Sequence, residues 1–100
     1  MTIVQDRIAE TAIVDVEDLL RAPVSTTLRH NVRALLSQGN RRILLNLVRV
    51  SQIDAAGVGE LVRVYNMALA ANGVLRIGQT IARVREVLTR VGLFDLLTVA

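Results

Sequence analysis

RILLNLV, residues 42–48, carries five aliphatic side chains around one amide and leads within five positions into IDAAGVGEL, residues 53–61. An aliphatic run of this length is what a strand covered on both faces looks like, and such a strand belongs in the middle of a sheet. Beyond it, Val58, Leu61, Val62, Tyr65 and Leu69 recur at helical spacing, and Asn72-Gly73 supplies a C-terminal stop. Asp54 stands where the first free amides of that helix need an acceptor. A buried strand feeding directly into a helix is the first half of a crossover unit, and this sets the class as α/β.

Working outward, TIVQDRI (2–8) and TAIVDVE (11–17) are short, β-branched and roughly alternating, so they predict an antiparallel strand pair joined at Ala9-Glu10. After Pro23, Leu28, Val32, Leu35 and Leu36 repeat at helical spacing, with Ser25 as the expected cap and Gly39-Asn40 as the stop. Past the second helix, VLRIG (74–78) reads as a strand. Thr80 is placed to cap a third helix carrying Ile81, Val84, Leu88 and Val91, Gly92 ends it, and LFDLL (93–97) forms a last helical turn. The predicted order is β-β-α-β-α-β-α-α. With 100 residues and no repeats or linker-like composition, this predicts one domain over 1–100, a small mixed β-sheet of four to five strands with helices packed against it.

Composition narrows the chemistry. Cysteine is absent, which removes disulfides, thiol catalysis and Cys-ligated zinc, and the single histidine argues against a nitrogen-rich metal site. No cofactor is implied. No apolar stretch approaches the roughly 20 residues needed to span a bilayer, and the N-terminus lacks a basic segment followed by an apolar run, so a soluble cytoplasmic chain without membrane insertion is expected. The net charge is +3, and all 12 basic residues are arginine. They are scattered, with only Arg41-Arg42 and Arg83/Arg85/Arg90 close together, and the chain lacks the clustered basic face and aromatic partners of a nucleic-acid binder.

IDAAGVGEL has the layout of a site without a reactive side chain. Its G-x-G lacks both the third glycine of a dinucleotide fingerprint and the Gly-Lys-Ser/Thr of a triphosphate loop. Gly57 and Gly59 each cost about 1 kcal/mol in a helix relative to alanine, so a close backbone approach is expected there. The carboxylates Asp6, Glu10, Asp15, Glu17 and Asp18 show no metal or acid/base spacing, and His30 falls on the outward side of the first helix beside Arg29 and Arg33. No nucleophile, base and orienting group converge, which reads as a non-enzyme.

Two longer segments, LLNLVRVSQIDAAGVGELVRVYNMALAANGVLRI (44–77) and VREVLTRVGLFDLL (84–97), resemble STAS domains, in particular bacterial anti-sigma factor antagonists, over residues 11–98. The likeness lies in an aliphatic strand, an Asp-Ser-Ser-Gly-Leu-Gly-like turn opening a helix, a Gly-strand segment and a terminal Gly-Leu pattern. It implies a cytoplasmic, non-catalytic regulator of transcription whose unmodified form binds a serine-kinase anti-sigma factor. In that family the serine immediately before the first glycine of the turn is phosphorylated, which abolishes binding. That position is Ala56 here, and the preceding serine is Ala55. A phosphoryl group adds about −1.5 to −2 charges at a packed surface; alanine cannot carry one. Ser51 is the nearest alternative hydroxyl, and turn chemistry favours its bonding to its own backbone. The chain also has Asn46 where relatives often have Asp, and no glycine at the start of VEDLLR (16–21).

The apolar stripe orients the second helix so that Ala56, Glu60, Arg63, Val64 and Met67 lie on or beside the face away from the sheet. With Asp54, Ala55, Gly57 and Gly59 of the turn, they form the expected docking surface for an anti-sigma factor or another kinase-fold partner. Lone STAS domains also serve as cytoplasmic accessory subunits that bind the ATPase of lipid-type ABC transporters, or as scaffolds in stress-signalling assemblies, and these are the alternative roles the resemblance implies.

Overall fold

The computed structural model describes the backbone of residues 2–8, 11–17 and 20–98, and the side chains of 11–17 and 20–98. The strands are β1 (Thr2–Ile8), β2 (Thr11–Asp15), β3 (Arg42–Leu47) and β4 (Val74–Thr80). The helices are α1 (Thr27–Ser37), α2 (Ala55–Ala70), α3 (Ala82–Arg90) and α4 (Leu93–Thr98). Their order is the one the periodicities predict.

The sheet runs β1-β2-β3-β4. β2, β3 and β4 are parallel, in a register that aligns Thr11 with Arg42 and Val74, and Ile13 with Leu44 and Arg76. β1 pairs antiparallel with β2 at the edge, with an irregularity between Val4 and Ile8. No fifth strand occurs among the described residues. Because β2, β3 and β4 follow one another in space, right-handed crossovers place α1 and α2 on the same face. That face presents Ala12, Val14, Ile43, Leu45, Leu47, Leu75 and Ile77, and one buried cluster joins them to Leu28, Val32 and Leu35 of α1, Leu61, Val64 and Ala68 of α2, Val84 and Leu88 of α3, and Leu97 of α4.

β3 departs from expectation in one respect. It is central, but only alternate residues are fully buried, while Leu44 and Asn46 on its other face are half-buried. Two expected caps also move. Thr26 takes the N-cap position of α1 without a side-chain bond, and Ser25 Oγ instead accepts from the Thr27 N–H at 3.1 Å, one turn-residue earlier. Thr80 is the last residue of β4, and Ile81 precedes α3. At α1 the serine hydroxyl thus serves the first helical amide from one position before the cap, and α3 begins without a side-chain cap. At the C-terminus of α2 the left-handed residue is Asn72 (φ 59°), and the Gly73 N–H returns to the Ala68 carbonyl at 2.7 Å. The turn expected at Ala9-Glu10, and the side chains of Asp6, Glu10 and Asp18, lie outside the described residues.

Candidate functional site

The β2–α1 and β3–α2 connections meet at the carboxyl ends of the parallel strands. Backbone bonds tie them together: the Leu20 N–H donates to the Gln52 carbonyl at 3.0 Å, and the Asp54 N–H to the Leu20 carbonyl at 2.9 Å. Asp54 extends this join through its side chain. Oδ1 accepts from the Gly57 N–H at 3.1 Å, which is the expected cap, and Oδ2 accepts from the Ala22 N–H at 3.0 Å. The Ala22 amide first, and the Gly57 amide after it, hold this carboxyl below its ordinary range, since each bond favours the charged form. With both oxygens committed to backbone amides, Asp54 is a fixed anion that joins two loops.

Gly57 shows why the first glycine is needed. A Cβ there would land on the Leu20 carbonyl, so only glycine lets the α2 N-terminus sit against the β2–α1 loop. Gly59 differs, because a Cβ there would meet nothing within 4 Å. The close approach expected of both glycines is therefore internal at Gly57 and absent within the chain at Gly59, which opens to solvent.

α2 is rotated relative to the expected orientation. Val64, expected on the outer face, is fully buried, and Glu60 is 4% exposed. Val62 and Leu69, expected on the sheet side, are 37% and 49% exposed. The physical reason is that apolar residues surround much of this helix, so its own sequence leaves the rotation open and tertiary contacts decide it. Gly57 must face Leu20. The Glu60 carboxylate turns toward α1, where Arg29 Nε meets its Oε1 at 3.1 Å, and Arg63 Nε stands 3.7 Å from the same oxygen. A buried carboxylate needs such partners. Gly57, Glu60 and Val64 thus belong to the interior, and Met67 is half-buried against the core.

Of the sequence-predicted surface, Asp54, Ala55, Ala56, Gly59 and Arg63 remain exposed. Val62, Asn66 and Leu69 join them, residues that sequence reasoning missed because Val62 and Leu69 fitted the inner stripe equally well. The result is a low-relief strip along α2, alanine and glycine at its N-terminal end and isolated apolar side chains further along. Ser51 is exposed in the β3–α2 connection, and its hydroxyl meets no partner among the described residues. Asn46 donates from Nδ2 to Asp15 Oδ1 at 2.8 Å while its Oδ1 accepts from the Val48 N–H at 3.3 Å. An aspartate could not make the first of these bonds. His30 is exposed on α1 as expected, and Glu17 lies 3.3 Å from Arg49. No described helix is long and apolar enough to cross a membrane.

The family model of the STAS domain matches residues 2–100. No match is found among the curated proteins. Among solved structures the chain is similar to the protein TM1081, determined by NMR, with 20% sequence identity and a TM-score of 0.74 over 92% of this chain and 74% of that one. At that identity the likeness concerns the fold alone.

Proposed function

The chain belongs to the STAS domain family, a family of generally non-catalytic, protein-interacting regulatory domains, and from that premise we propose that it is a non-enzymatic anti-sigma factor antagonist. It docks an anti-sigma factor or related kinase-fold partner through the outer strip of α2. The observation that carries this reading is the exposure of Ala56 at the head of a strip that opens at Gly59 and continues through Val62 and Leu69. A helix face whose only exposed charge is Arg63, beside a loop junction held by backbone hydrogen bonds, suits a protein partner. The Asp54 junction supports it by holding the N-terminal turn in one shape before a partner arrives.

Ala56 makes the contact constitutive at this position. A serine there would carry its phosphoryl group on an exposed helix N-terminus, where it would be electrostatically tolerated by the helix yet obstruct a partner lying on the strip. Alanine removes the acceptor and leaves the surface unchanged in shape. The test is titration of the chain with purified serine-kinase anti-sigma proteins from the same genome. Binding is expected to weaken at least tenfold on Ala56→Glu, because the substitution sets an unpaired carboxylate under the partner. Equal affinity of the variant, with the fold intact, overturns the proposal.

A further inference from the structure

We infer that the face of the sheet turned away from the helices carries a binding site for a small amphiphilic anion, a carboxylate or phosphate on an aliphatic chain, at the amino ends of β2, β3 and β4.

Side chains from all four helices join the buried cluster on the face that presents Ala12, Ile43, Leu45, Leu75 and Ile77. Successive side chains of a strand point to opposite faces, so Thr11, Arg42, Leu44, Val74 and Arg76 share the other one. The parallel register sets Thr11 beside Arg42 and Arg42 beside Val74, and it sets Leu44 beside Arg76. The two arginines therefore stand diagonally on neighbouring strands. A cavity of about 540 Å³ is lined by these five residues and by Ile43. Its size falls within the roughly 300–1,000 Å³ of small-molecule sites.

The lining divides by chemistry. Leu44, half-buried, and Val74, 38% exposed, form an aliphatic floor. Gly78 is the next residue but one after Arg76 on the same face, and a Cβ there would stand 3.5 Å from Leu44 Cδ2, so its absence keeps that floor open. The polar part is two guanidinium groups and the Thr11 hydroxyl, and none of the six lining residues carries a carboxylate. Arg76 is half-buried, with Nη1 donating to the Leu75 carbonyl at 3.2 Å. Arg42 is exposed and makes no side-chain hydrogen bond or ion pair among the described residues. One guanidinium is thus held in place, and the other is available to a ligand.

Each half of this lining excludes a simpler occupant. Two positive charges without a carboxylate select an anion, and the planar fork of a guanidinium matches a carboxylate or a phosphate. A small hydrated anion alone would leave Leu44 and Val74 in water, whereas an aliphatic chain covers them. A neutral apolar ligand would cover Arg42 without giving its charge a partner, which is costly. The ligand must therefore carry both a charged head and an aliphatic body. The cavity lies at the opposite end of β3 from the Asp54 turn, so this inference does not depend on the docking reading above and its test uses the chain alone.

The test is a titration of the isotope-labelled chain with decanoate and with decyl phosphate, below their micellar range, followed by amide chemical shifts. Saturable shifts are expected at Thr11, Leu44, Val74 and Arg76, and not at Ala55 to Gly59, with a dissociation constant on the order of 1 mM for a ligand of this size. Decanol and inorganic phosphate, which each lack one half of the ligand, are expected to bind at least tenfold more weakly. Arg42→Gln is expected to weaken decanoate about tenfold, and Arg42→Lys, which keeps the charge, to recover part of that loss. No shifts at these amides by about 10 mM decanoate, equal binding of decanol or of inorganic phosphate, or unchanged affinity of folded Arg42→Gln overturns the site. Flotation with phosphatidylglycerol vesicles separates the two sources of such an anion. Retention of the wild type but not of Arg42→Gln identifies a lipid head group, and no retention of either identifies a free acid.

Discussion

The two glycines of the α2 turn make opposite predictions from the same substitution. At Gly57 an added Cβ would fall on the Leu20 carbonyl oxygen, 2.5 Å from its carbon and 2.8 Å from the Leu20 Cβ. Two of these three atoms are backbone, so relief requires moving the β2–α1 loop from the helix. That movement breaks the two backbone bonds that tie Leu20 to Gln52 and Asp54, together worth about 2 kcal/mol, and loosens the buried Leu20 side chain at about 1 kcal/mol more. Against this stands a helix-propensity gain of about 1 kcal/mol from Gly to Ala. The net cost of Gly57→Ala is about 2 kcal/mol, a fall of roughly 10 °C in Tm for a chain of this size. At Gly59 the Cβ meets nothing within 4 Å, so only the propensity gain remains and Gly59→Ala raises Tm by roughly 4 °C. Thermal unfolding followed by circular dichroism measures both. If Gly57→Ala stabilises as Gly59→Ala does, the loop does not lie against the helix as described, and the account of the junction fails.

Asp54→Asn keeps a cap acceptor but loses the charge. Because the carboxyl is held below its ordinary value, its contribution is present above the unfolded-state pKa of about 3.9 and is lost as pH falls through the folded value; the Tm difference between wild type and variant should therefore be full at pH 7 and close in acid. Arg29→Ala leaves the buried Glu60 with only the longer Arg63 contact, and urea denaturation should show a loss of about 2–3 kcal/mol. Arg63→Ala, at an exposed position, should cost about 0.5 kcal/mol, and adding Glu60→Gln to Arg29→Ala should recover part of the loss. Asn46→Asp sets a second carboxylate against Asp15 across neighbouring strands, a change expected to cost about 1 kcal/mol at neutral pH, read from the same denaturation curves.

The element order is legible in the sequence because short runs rich in β-branched residues, such as TAIVD, give way to apolar residues recurring at helical spacing from Leu28 to Leu35. The rotation of α2 is not legible, for a physical reason. Val58, Val62, Tyr65 and Leu69 compete with Leu61, Val64 and Ala68 for the inner face, and nothing within the helix chooses between them. What chooses is Leu20, 37 positions before Gly57, and Arg29, 31 positions before Glu60. No local pattern reports a pair at that separation. The second role of Asp54 is hidden in the same way: its position in front of a helix announces the bond to Gly57, whereas the bond to Ala22 appears only when the loops meet. Asn46 reads as a departure from the family's usual residue until Asp15 is seen beside it. The candidate turn, Asp54 to Gly59, could be singled out from residue types alone, because a capping carboxylate and two glycines in the first turns of a helix are a local pattern. The extent of its surface could not, because burial is decided by contacts distant in sequence.

Docking through the strip headed by Ala56 is tested most directly by one titration series, in which a purified serine-kinase anti-sigma protein from the same genome is measured by calorimetry against the wild type, Ala56→Glu and Arg42→Glu. Arg42 is exposed at the start of β3, at the opposite end of the strand from the turn. The account predicts binding to wild type and to Arg42→Glu alike, with at least a tenfold loss for Ala56→Glu. Equal binding by all three, with each protein folded, would contradict it.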